Sequence, residues 1–213
     1  MALREPGERI YLTVAATMRS QAYGNAQTML NESVVRASVI RYMLANEGQS
    51  AADRETRSQR NRGFIWMPAL VTLLGEYEAN RNTYPDLESF MAKIVDFYQA
   101  LGNRIETDVA AFDATRPAIA QTSIPDGARD VDPSLTTITV RFDQAMGPGV
   151  SINTIDVEFP NITSWAFDST RTTLTLGVKL EPGKAYGIRF SETGFASVTG
   201  FPLKERNLRF TTR

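Results

Sequence analysis

Two charged residues, Glu32 and Arg36, lie four positions apart within one of the most apolar stretches of the chain. Side chains at this spacing share one face of a helix, where a carboxylate and a guanidinium can form an ion pair. The stretch from 26 to 46 (AQTMLNESVVRASVIRYMLAN) predicts a helix that is apolar on almost every side and is therefore buried on both. On its helical wheel, Glu32 falls between Val39 and Met43, on the side that we expect to be driest.

A carboxylate in that position has two interpretations, because a buried charge without a partner is costly. In the first, Glu32 pairs with Arg36 at the rim of the core and has a structural role. In the second, Glu32 belongs to a functional site, either as a metal ligand or as a carboxylate that faces a cleft. The sequence alone leaves both interpretations open.

A second group of carboxylates, Asp126, Asp130 and Asp132, follows within a short acidic run. Carboxylates spaced along a loop supply the oxygen ligands that calcium prefers. The same residue types, and the Pro-Asp-Gly sequence around Asp126, are also ordinary in turns. The run therefore indicates either a calcium site at a domain edge or a set of turns.

The composition excludes several classes of function. The chain has no histidine and no cysteine, which removes disulfides, most catalytic triads and any complete histidine-based zinc site within it. Lysine plus arginine (23) nearly equals aspartate plus glutamate (24), so we expect no nucleic-acid partner. No apolar run is long enough to span a membrane. The opening MALREPGERI lacks the apolar core of a signal peptide, and we expect any export signal to lie upstream.

The elements that must position these residues change character near the middle of the chain. Residues 1–116 predict an α-helical domain with about five helical segments. We expect helices from Glu8 to Tyr23, from 26 to a stop at Gly48, across the charged segment 51–62 (as a helix or an ordered loop), from Phe64 to Leu74, and from Pro85 to a stop at Gly102. The stretch 103–116 has few strong formers of either kind.

Residues 117–213 predict an antiparallel β-sandwich, because short runs rich in β-branched and aromatic residues alternate with turn signals. The runs are TTITVRF, IDVEF, SWAF, TLTLGV, AYGIRF and LRFTT. Alternation within these runs predicts the inward-facing core residues Ile138, Val140, Phe142, Leu174, Leu176, Tyr186, Ile188 and Phe210.

This second half resembles the bacterial Ig-like domains found in S-layer and other exported bacterial proteins. The resemblance lies in Pro117, in SIPDGARDVDPSLTTITVRFDQAM, in TLTLGVKLEPGKAYGIRF and in the closing LRFTT. It implies an Ig-like sandwich and an extracytoplasmic location (periplasmic, cell surface or secreted). It implies no enzymatic activity.

The first half resembles the helical C-terminal part of a gluzincin-like bacterial metallopeptidase family, through NESVVRA. In that family a downstream helix supplies a glutamate as the third zinc ligand, which implies that role for Glu32 and a supporting role for Arg36. The resemblance also suggests a phenol from Tyr23 or Tyr42 near such a site, although aromatic residues on apolar helices usually belong to the core. The family's H-E-x-x-H helix is missing from this chain, since it contains no histidine.

Two functions follow as expectations. The first is the non-catalytic C-terminal portion of an exported zinc-metallopeptidase-like bacterial protein. The second is a binding or structural module of the cell envelope that has no catalytic half. In either case we expect the partner to be a protein, a peptide or a cell-envelope component. We also expect that the chain as it stands has no cofactor. A catalytic zinc needs three protein ligands, so we expect that the chain does not hydrolyse peptides and does not hold zinc tightly.

Overall fold

A computed structural model describes residues 3–213 of the chain. The chain divides into two compact units, one that runs to Ala114 and one from Thr115 to Arg213. The first unit is helical and the second consists of two β-sheets, as the sequence predicts. The five helices are α1 (Arg4–Arg19), α2 (Ala26–Glu47), α3 (Gln49–Asn61), α4 (Met67–Ala79) and α5 (Leu87–Thr115).

Helix α2 begins and ends where its flanking residues dictate. The side chain of Asn25 accepts a hydrogen bond from the backbone N–H of Thr28 at 2.9 Å, which satisfies one of the free donors of the first turn. At the other end Gly48 has φ 89°, a conformation that favours glycine, and the next helix starts at Gln49. The predicted stop at Gly48 is confirmed.

The prediction that α2 is buried on both sides is wrong. One face is buried, and its residues are Ala26, Met29, Leu30, Ser33, Ala37 and Ile40. On the opposite face Val35, Val39 and Tyr42 are exposed by 57%, 50% and 65%. The helical wheel does not predict the buried face correctly because apolar residues occupy both faces of this helix. Hydrophobicity alone therefore does not distinguish the face that packs from the face that contacts solvent.

Helix α5 is longer than predicted and contains Gly102 without ending there. A Cβ atom at Gly102 would lie 2.9 Å from the Cβ and 3.0 Å from the Cα of Pro6. The glycine therefore permits the close approach of the first turn of α1, and the helix continues through 103–115. The other helix boundaries shift slightly: α1 ends at Arg19 rather than Tyr23, and Pro68 lies in the first turn of α4.

The sandwich has eight strands in two four-stranded sheets. The strands are β1 (Ile119–Thr122), β2 (Ala128–Val131), β3 (Thr137–Phe142), β4 (Ile152–Asn153), β5 (Asn161–Phe167), β6 (Thr173–Lys179), β7 (Ala185–Phe190) and β8 (Arg206–Thr212). Sheet A has the order β1-β3-β6-β5 and sheet B the order β2-β8-β7-β4. All pairs of strands are antiparallel except β2 with β8, which is parallel.

The residues predicted to face inward form the core of the sandwich. Each of the eight, from Ile138 to Phe210, is at most 3% exposed. They are joined by residues that the alternation did not single out, among them Met146, Phe190, Phe195 and Leu203. The predicted core is therefore confirmed, and the loops contribute to it as well as the strands.

The run IDVEF is the one predicted strand that does not form. It crosses the outer face of sheet B, where only a single bridge joins Glu158 to Tyr186. A Cβ atom at Gly187 would overlap Ile155 and would lie 2.6 Å from Val157. Because Gly187 has no side chain, the apolar residues of this segment pack over the sheet instead of extending it.

Candidate functional site

Arg36 is the centre of the polar cluster that contains the predicted site residues. Its Nη1 donates a hydrogen bond to Oε1 of Gln59, and its Nη2 donates one to the hydroxyl of Tyr23. Gln59 in turn donates from Nε2 to Oε1 of Glu55, four residues earlier on α3. These contacts join α2, α3 and the segment after α1 through one guanidinium.

Two aromatic rings lie close to the same guanidinium. The Cζ atom of Arg36 lies 5.0 Å from the ring centroid of Phe64 and 5.7 Å from that of Tyr23. The two rings meet edge to face at 5.8 Å. A cation within about 6 Å of a ring centroid is attracted by the negative face of the ring. Arg36 is therefore held by an aromatic pair as well as by hydrogen bonds, and its side chain is only 20% exposed.

Glu32 is the weaker partner in this cluster. Its Oε2 atom lies 3.7 Å from Nε of Arg36, and 41% of its side chain is exposed. A separation of 3.7 Å is too long for a hydrogen bond, and Nε of Arg36 is buried with no hydrogen-bond partner among residues 3–213. The prediction that Glu32 lies on the driest side of α2 is wrong, because that side is centred on Ser33, Ala37 and Ile40.

The two tyrosines differ in their surroundings. Tyr23 packs against the helical core and its hydroxyl accepts from Arg36, so its phenol is already in use. Tyr42 is 65% exposed, which contradicts the expectation that an aromatic residue on this helix is buried. The structure therefore brings Glu32, Arg36 and Tyr23 together, and it places Tyr42 among the exposed residues of α2.

Gln59 is the member of the cluster that sequence analysis missed. It is 5% exposed, although it lies in the charged segment 51–62. The signal that identifies it is the helical spacing of Ala51, Ala52 and Gln59, which places small or uncharged side chains on the buried face of α3. Because arginines occupy many of the other positions of α3, this narrow buried face is difficult to recognise in the sequence.

A second polar group lies deeper in the helical core. Oγ of Ser33 donates to the carbonyl of Met29 at 2.8 Å and accepts from Nε1 of Trp66 at 3.2 Å. The hydroxyl of Tyr98 donates to the carbonyl of Leu30 at 3.3 Å. Burial raises the pKa of Tyr98 well above its ordinary value, while its hydrogen bond with Ser33 opposes the shift. These groups are paired and neutral, so they stabilise the fold and supply no acid or base at neutral pH.

The residues present do not fit a zinc ion. Among residues 3–213, no group of three histidine, cysteine, aspartate or glutamate side chains lies close enough together to bind a metal. The charged neighbour of Glu32 is a guanidinium, which opposes a cation at the carboxylate.

Two carboxylates of the acidic run, those of Asp126 and Asp132, are held by hydrogen bonds within the sandwich. Oδ1 of Asp126 accepts from the backbone N–H of Arg209 at 2.8 Å. Oδ1 of Asp132 accepts from the N–H of Ser134 at 2.9 Å and from its Oγ at 2.8 Å, and these two hydrogen bonds lower the pKa of the Asp132 carboxyl. Its Oδ2 pairs with Arg213. The structure thus does not bring the three carboxylates together as calcium ligands in the described part of the chain.

A shallow pocket of about 180 Å³ lies on the outer face of sheet B. Val157 forms one wall, and Arg129, Ala185 and Arg209 contribute to the rest. Arg209 Nη2 bonds to Oδ1 of Asp156 at 2.9 Å, which lowers the pKa of the Asp156 carboxyl. The pocket is a small, mostly apolar surface beside a paired cation.

Comparison with known families identifies the second unit. Residues 113–212 match the family described as bacterial Ig-like domain, in agreement with the resemblance and with the Ig-like β-sandwich fold of the C-terminal unit. Residues 9–97 match a family described as a domain of unknown function (DUF4932). The predicted resemblance of the helical half to a metallopeptidase is not shown. No curated protein matches the sequence.

Solved structures with some likeness to the chain are S-layer proteins. The S-layer protein rSbsC(31-844) is 16% identical, with 98% of this chain and 33% of that chain covered and a TM-score of 0.34. Domains 1–6 of the surface layer protein SbsC are 16% identical, with 96% of this chain and 32% of that chain covered and a TM-score of 0.34. The N-terminal part of the S-layer protein SbsC is 14% identical, with 89% of this chain and 58% of that chain covered and a TM-score of 0.34. The chain thus spans about a third of the first two structures. Within residues 3–213, no helix has the length and apolar character that crossing a membrane requires.

Proposed function

We propose that this chain is a non-catalytic binding and structural module of the bacterial cell envelope. The observation that supports the proposal most directly is the bacterial Ig-like domain at 113–212, with its closed core between two sheets. The Ig-like domain serves as a spacer or attachment module, and the helical domain contacts a protein, a peptide or another envelope component. An extracytoplasmic location, at the cell surface or in the periplasm, is part of this proposal.

Protease treatment of intact bacteria tests the location. An antibody against the chain detects it before and after digestion of whole cells, of cells with a permeabilised outer layer, and of lysates. The proposal expects the chain to be degraded before lysis, while a cytosolic marker protein in the same sample stays intact. Protection of the chain until lysis, together with recovery in the cytosolic fraction, would overturn it.

Cosedimentation tests the partner. The purified chain is mixed with cell-wall sacculi or with envelope proteins, and the pelleted fraction is compared with that of an unrelated Ig-like domain of similar charge. We expect a saturable pelleted fraction that the unrelated domain does not compete away. Binding equal to that of the unrelated domain in every fraction would contradict a specific envelope partner.

A second candidate function is the non-catalytic C-terminal portion of a zinc-metallopeptidase-like protein. The observation that favours it is the carboxylate of Glu32, which is partly exposed on a long helix and has no hydrogen bond among the described residues. In this case an upstream segment supplies the remaining ligands. The sequence of the gene before this chain decides the matter: an H-E-x-x-H motif within roughly a hundred residues favours it, and the absence of one removes it.

A further inference from the structure

Three of the four edge strands of the sandwich are short, and two of them carry a further protective feature. β4 has two residues. β1 has four, and its pairing with β3 is irregular between Ile119 and Gln121. β2 also has four, and two of them are the charged residues Arg129 and Asp130. Short strands, bulges and charges are the means by which native proteins keep a sheet edge from pairing with another strand.

The fourth edge strand, β5, has little of this protection. It has seven residues (NITSWAF), with no charged residue and no proline among them, and it pairs only with β6. A bulge between Ile162 and Ser164 is its one protective feature. Within residues 3–213, the backbone of β5 forms hydrogen bonds to β6 and to no other element. β5 is therefore the edge of this sandwich that is best suited to accept another strand.

The register of the β5–β6 hairpin shows which backbone groups point outward. The N–H of Asp168 donates to the carbonyl of Thr173 at 2.9 Å, so these two residues form a hydrogen-bonded pair. Hydrogen-bonded and non-hydrogen-bonded pairs alternate along an antiparallel ladder. Ala166 therefore bonds to β6, whereas the N–H and C=O groups of Trp165 and Phe167 point away from it. These groups are directed to the open side of the strand.

The side chain of Trp165 adds an uncovered apolar surface beside this edge. Trp165 lies opposite Leu176 of β6, and directly opposed residues project from the same face of a sheet. Leu176 is fully buried between the sheets, yet Trp165 is 52% exposed. Ile162 and Phe167, on the same face, are partly buried against the sandwich core. The apolar inner layer of sheet A thus ends at β5 with an indole that the described chain covers only in part.

We propose that the edge of β5 binds an extended segment of a partner protein as a fifth strand of sheet A. The outward N–H and C=O groups select a polypeptide backbone, since an added strand pairs with both kinds of group. The indole selects apolar side chains at every second position, because alternate residues of the added strand project towards the inner side of the sheet. The partner is therefore an uncharged segment with alternating apolar residues, about as long as β5 itself. This inference specifies the partner of the proposed binding module and rests on that proposal.

A flexible segment fits this edge better than a second copy of the folded domain does. The bulge between Ile162 and Ser164 interrupts the regular spacing of the outward groups, and a bulge bends its strand. A flexible segment can follow that bend along the whole of β5. A second copy has the same bulge, so two β5 strands match only over residues 164–167. A contact of that length buries far less than the ~800 Å² per partner of a standard interface.

A peptide titration of the full chain tests the edge. The probe is the end-blocked peptide Lys-(Thr-Val)3-Thr-Lys, and the control peptide has proline in place of its middle valine, which prevents continuous strand pairing. We expect saturable binding of the probe with a dissociation constant on the order of 1 mM, and at least tenfold weaker binding of the control. Tryptophan emission should shift to the blue through Trp165, because the other tryptophan, Trp66, is already buried at 3% exposure.

Amide hydrogen exchange, measured by NMR, locates the added strand. In the free chain the amides of Trp165 and Phe167 should exchange fast, and that of Ala166 slowly, because only Ala166 bonds to β6. The saturating probe should slow exchange at Trp165 and Phe167 at least tenfold and leave Ala166 unchanged. Slow exchange at Trp165 and Phe167 in the free chain would overturn the inference, as would no binding of the probe at about 5 mM.

Two lysine variants separate the edge from the rest of the strand. Trp165→Lys places a charge on the edge and removes the indole, and it should weaken binding of the probe at least tenfold. Ala166→Lys adds the same charge one residue further on, on the exposed outer face of the sheet, and should bind the probe as the wild type does. Equal binding by both variants would contradict the proposal.

Sedimentation equilibrium of the free chain tests the other occupant of the edge. Self-association that Trp165→Lys abolishes would overturn the inference, because a second copy would then occupy β5. We expect the chain to sediment as a monomer or to self-associate equally in both variants. These measurements concern the edge alone, whereas the digestion of intact cells tests the proposed location, so failure of one is distinguishable from failure of the other.

Discussion

At the scale of single residues, Arg36 depends more on neutral partners than on Glu32. Two of its nitrogens bond to Gln59 and Tyr23, and its Cζ atom lies within 6 Å of two aromatic ring centroids, whereas the glutamate oxygen stays 3.7 Å from Nε. The ion pair suggested by the i, i+4 spacing therefore exists only as a long contact. Stability should depend on the arginine and little on the carboxylate.

Replacement of each residue separates these contributions. Arg36→Met leaves the buried Gln59 with an unpaired carbonyl and should lower the free energy of unfolding by about 1–3 kcal/mol. Glu32→Gln removes a partly exposed pair and should change it by less than about 0.5 kcal/mol. Urea unfolding followed at 222 nm measures both, and Arg57→Met on the exposed side of α3 is the control. A larger loss in Glu32→Gln than in Arg36→Met would show that the ion pair carries the stability.

Tyr98 provides a pH-dependent test of the helical core. Because its folded pKa is raised above the unfolded value of about 10, the folded state retains the proton at pH values where the unfolded state has lost it. Its contribution to stability is thus complete below pH ~10 and is lost as the pH rises towards the folded pKa, at up to about 1.4 kcal/mol per pH unit. Urea midpoints at pH 9, 10 and 11 should fall more steeply for the wild-type chain than for Tyr98→Phe. Parallel curves would show that the phenol reaches solvent.

At the scale of elements, the sequence predicts helices and long strands better than it predicts the faces that they bury. The C-terminal end of α2 follows from the local signal at Gly48, and the strands with clear alternation follow from their pattern. The short strands β1, β2 and β4 have only two to four residues, too few for any period to be visible. IDVEF and the region after Gly102 were misjudged because their conformation depends on close approaches, at Gly187 and at Pro6, that no local pattern encodes.

The same reasoning predicts opposite effects for two helical glycines. Alanine favours a helix over glycine by about 1 kcal/mol. In Gly75→Ala the new methyl group meets only the end of the flexible Arg41 side chain, at 3.0 Å, so we expect a neutral or stabilising effect. In Gly102→Ala it meets the rigid ring and backbone of Pro6, and α1 must move. Thermal melts at 222 nm should place Gly102→Ala below the wild type and Gly75→Ala at or above it. The reverse order would contradict the packing of α1 on α5.

The candidate site was only partly predictable, for a related reason. The residues Glu32 and Arg36 stand out because charges are rare in an apolar stretch. Gln59 does not, because its burial depends on a tertiary contact between α2 and α3. Likewise, the exposure of Val35, Val39 and Tyr42 is visible only once the packing of α2 is known.

At the scale of the whole molecule, each compact unit has its own hydrophobic core. The helical core and the sandwich core have no residue in common among the described part of the chain. A substitution in one core should therefore act on the unfolding of one unit. Leu70, with 0% exposure, represents the helical core, and Phe142, with 2% exposure, represents the sandwich.

Calorimetry of the full chain tests this division. Leu70→Ala should cost about 2–5 kcal/mol and Phe142→Ala about 3–5 kcal/mol, through lost burial and the cavity left behind. We expect each variant to lower the midpoint of a different transition, and the double variant to show the sum of the two losses within about 0.5 kcal/mol. Arg141→Ala, an exposed neighbour of Phe142, should leave both transitions unchanged because it removes no buried contact. A single transition that moves by the same amount in all three core variants would instead mean that the two units unfold as one cooperative body.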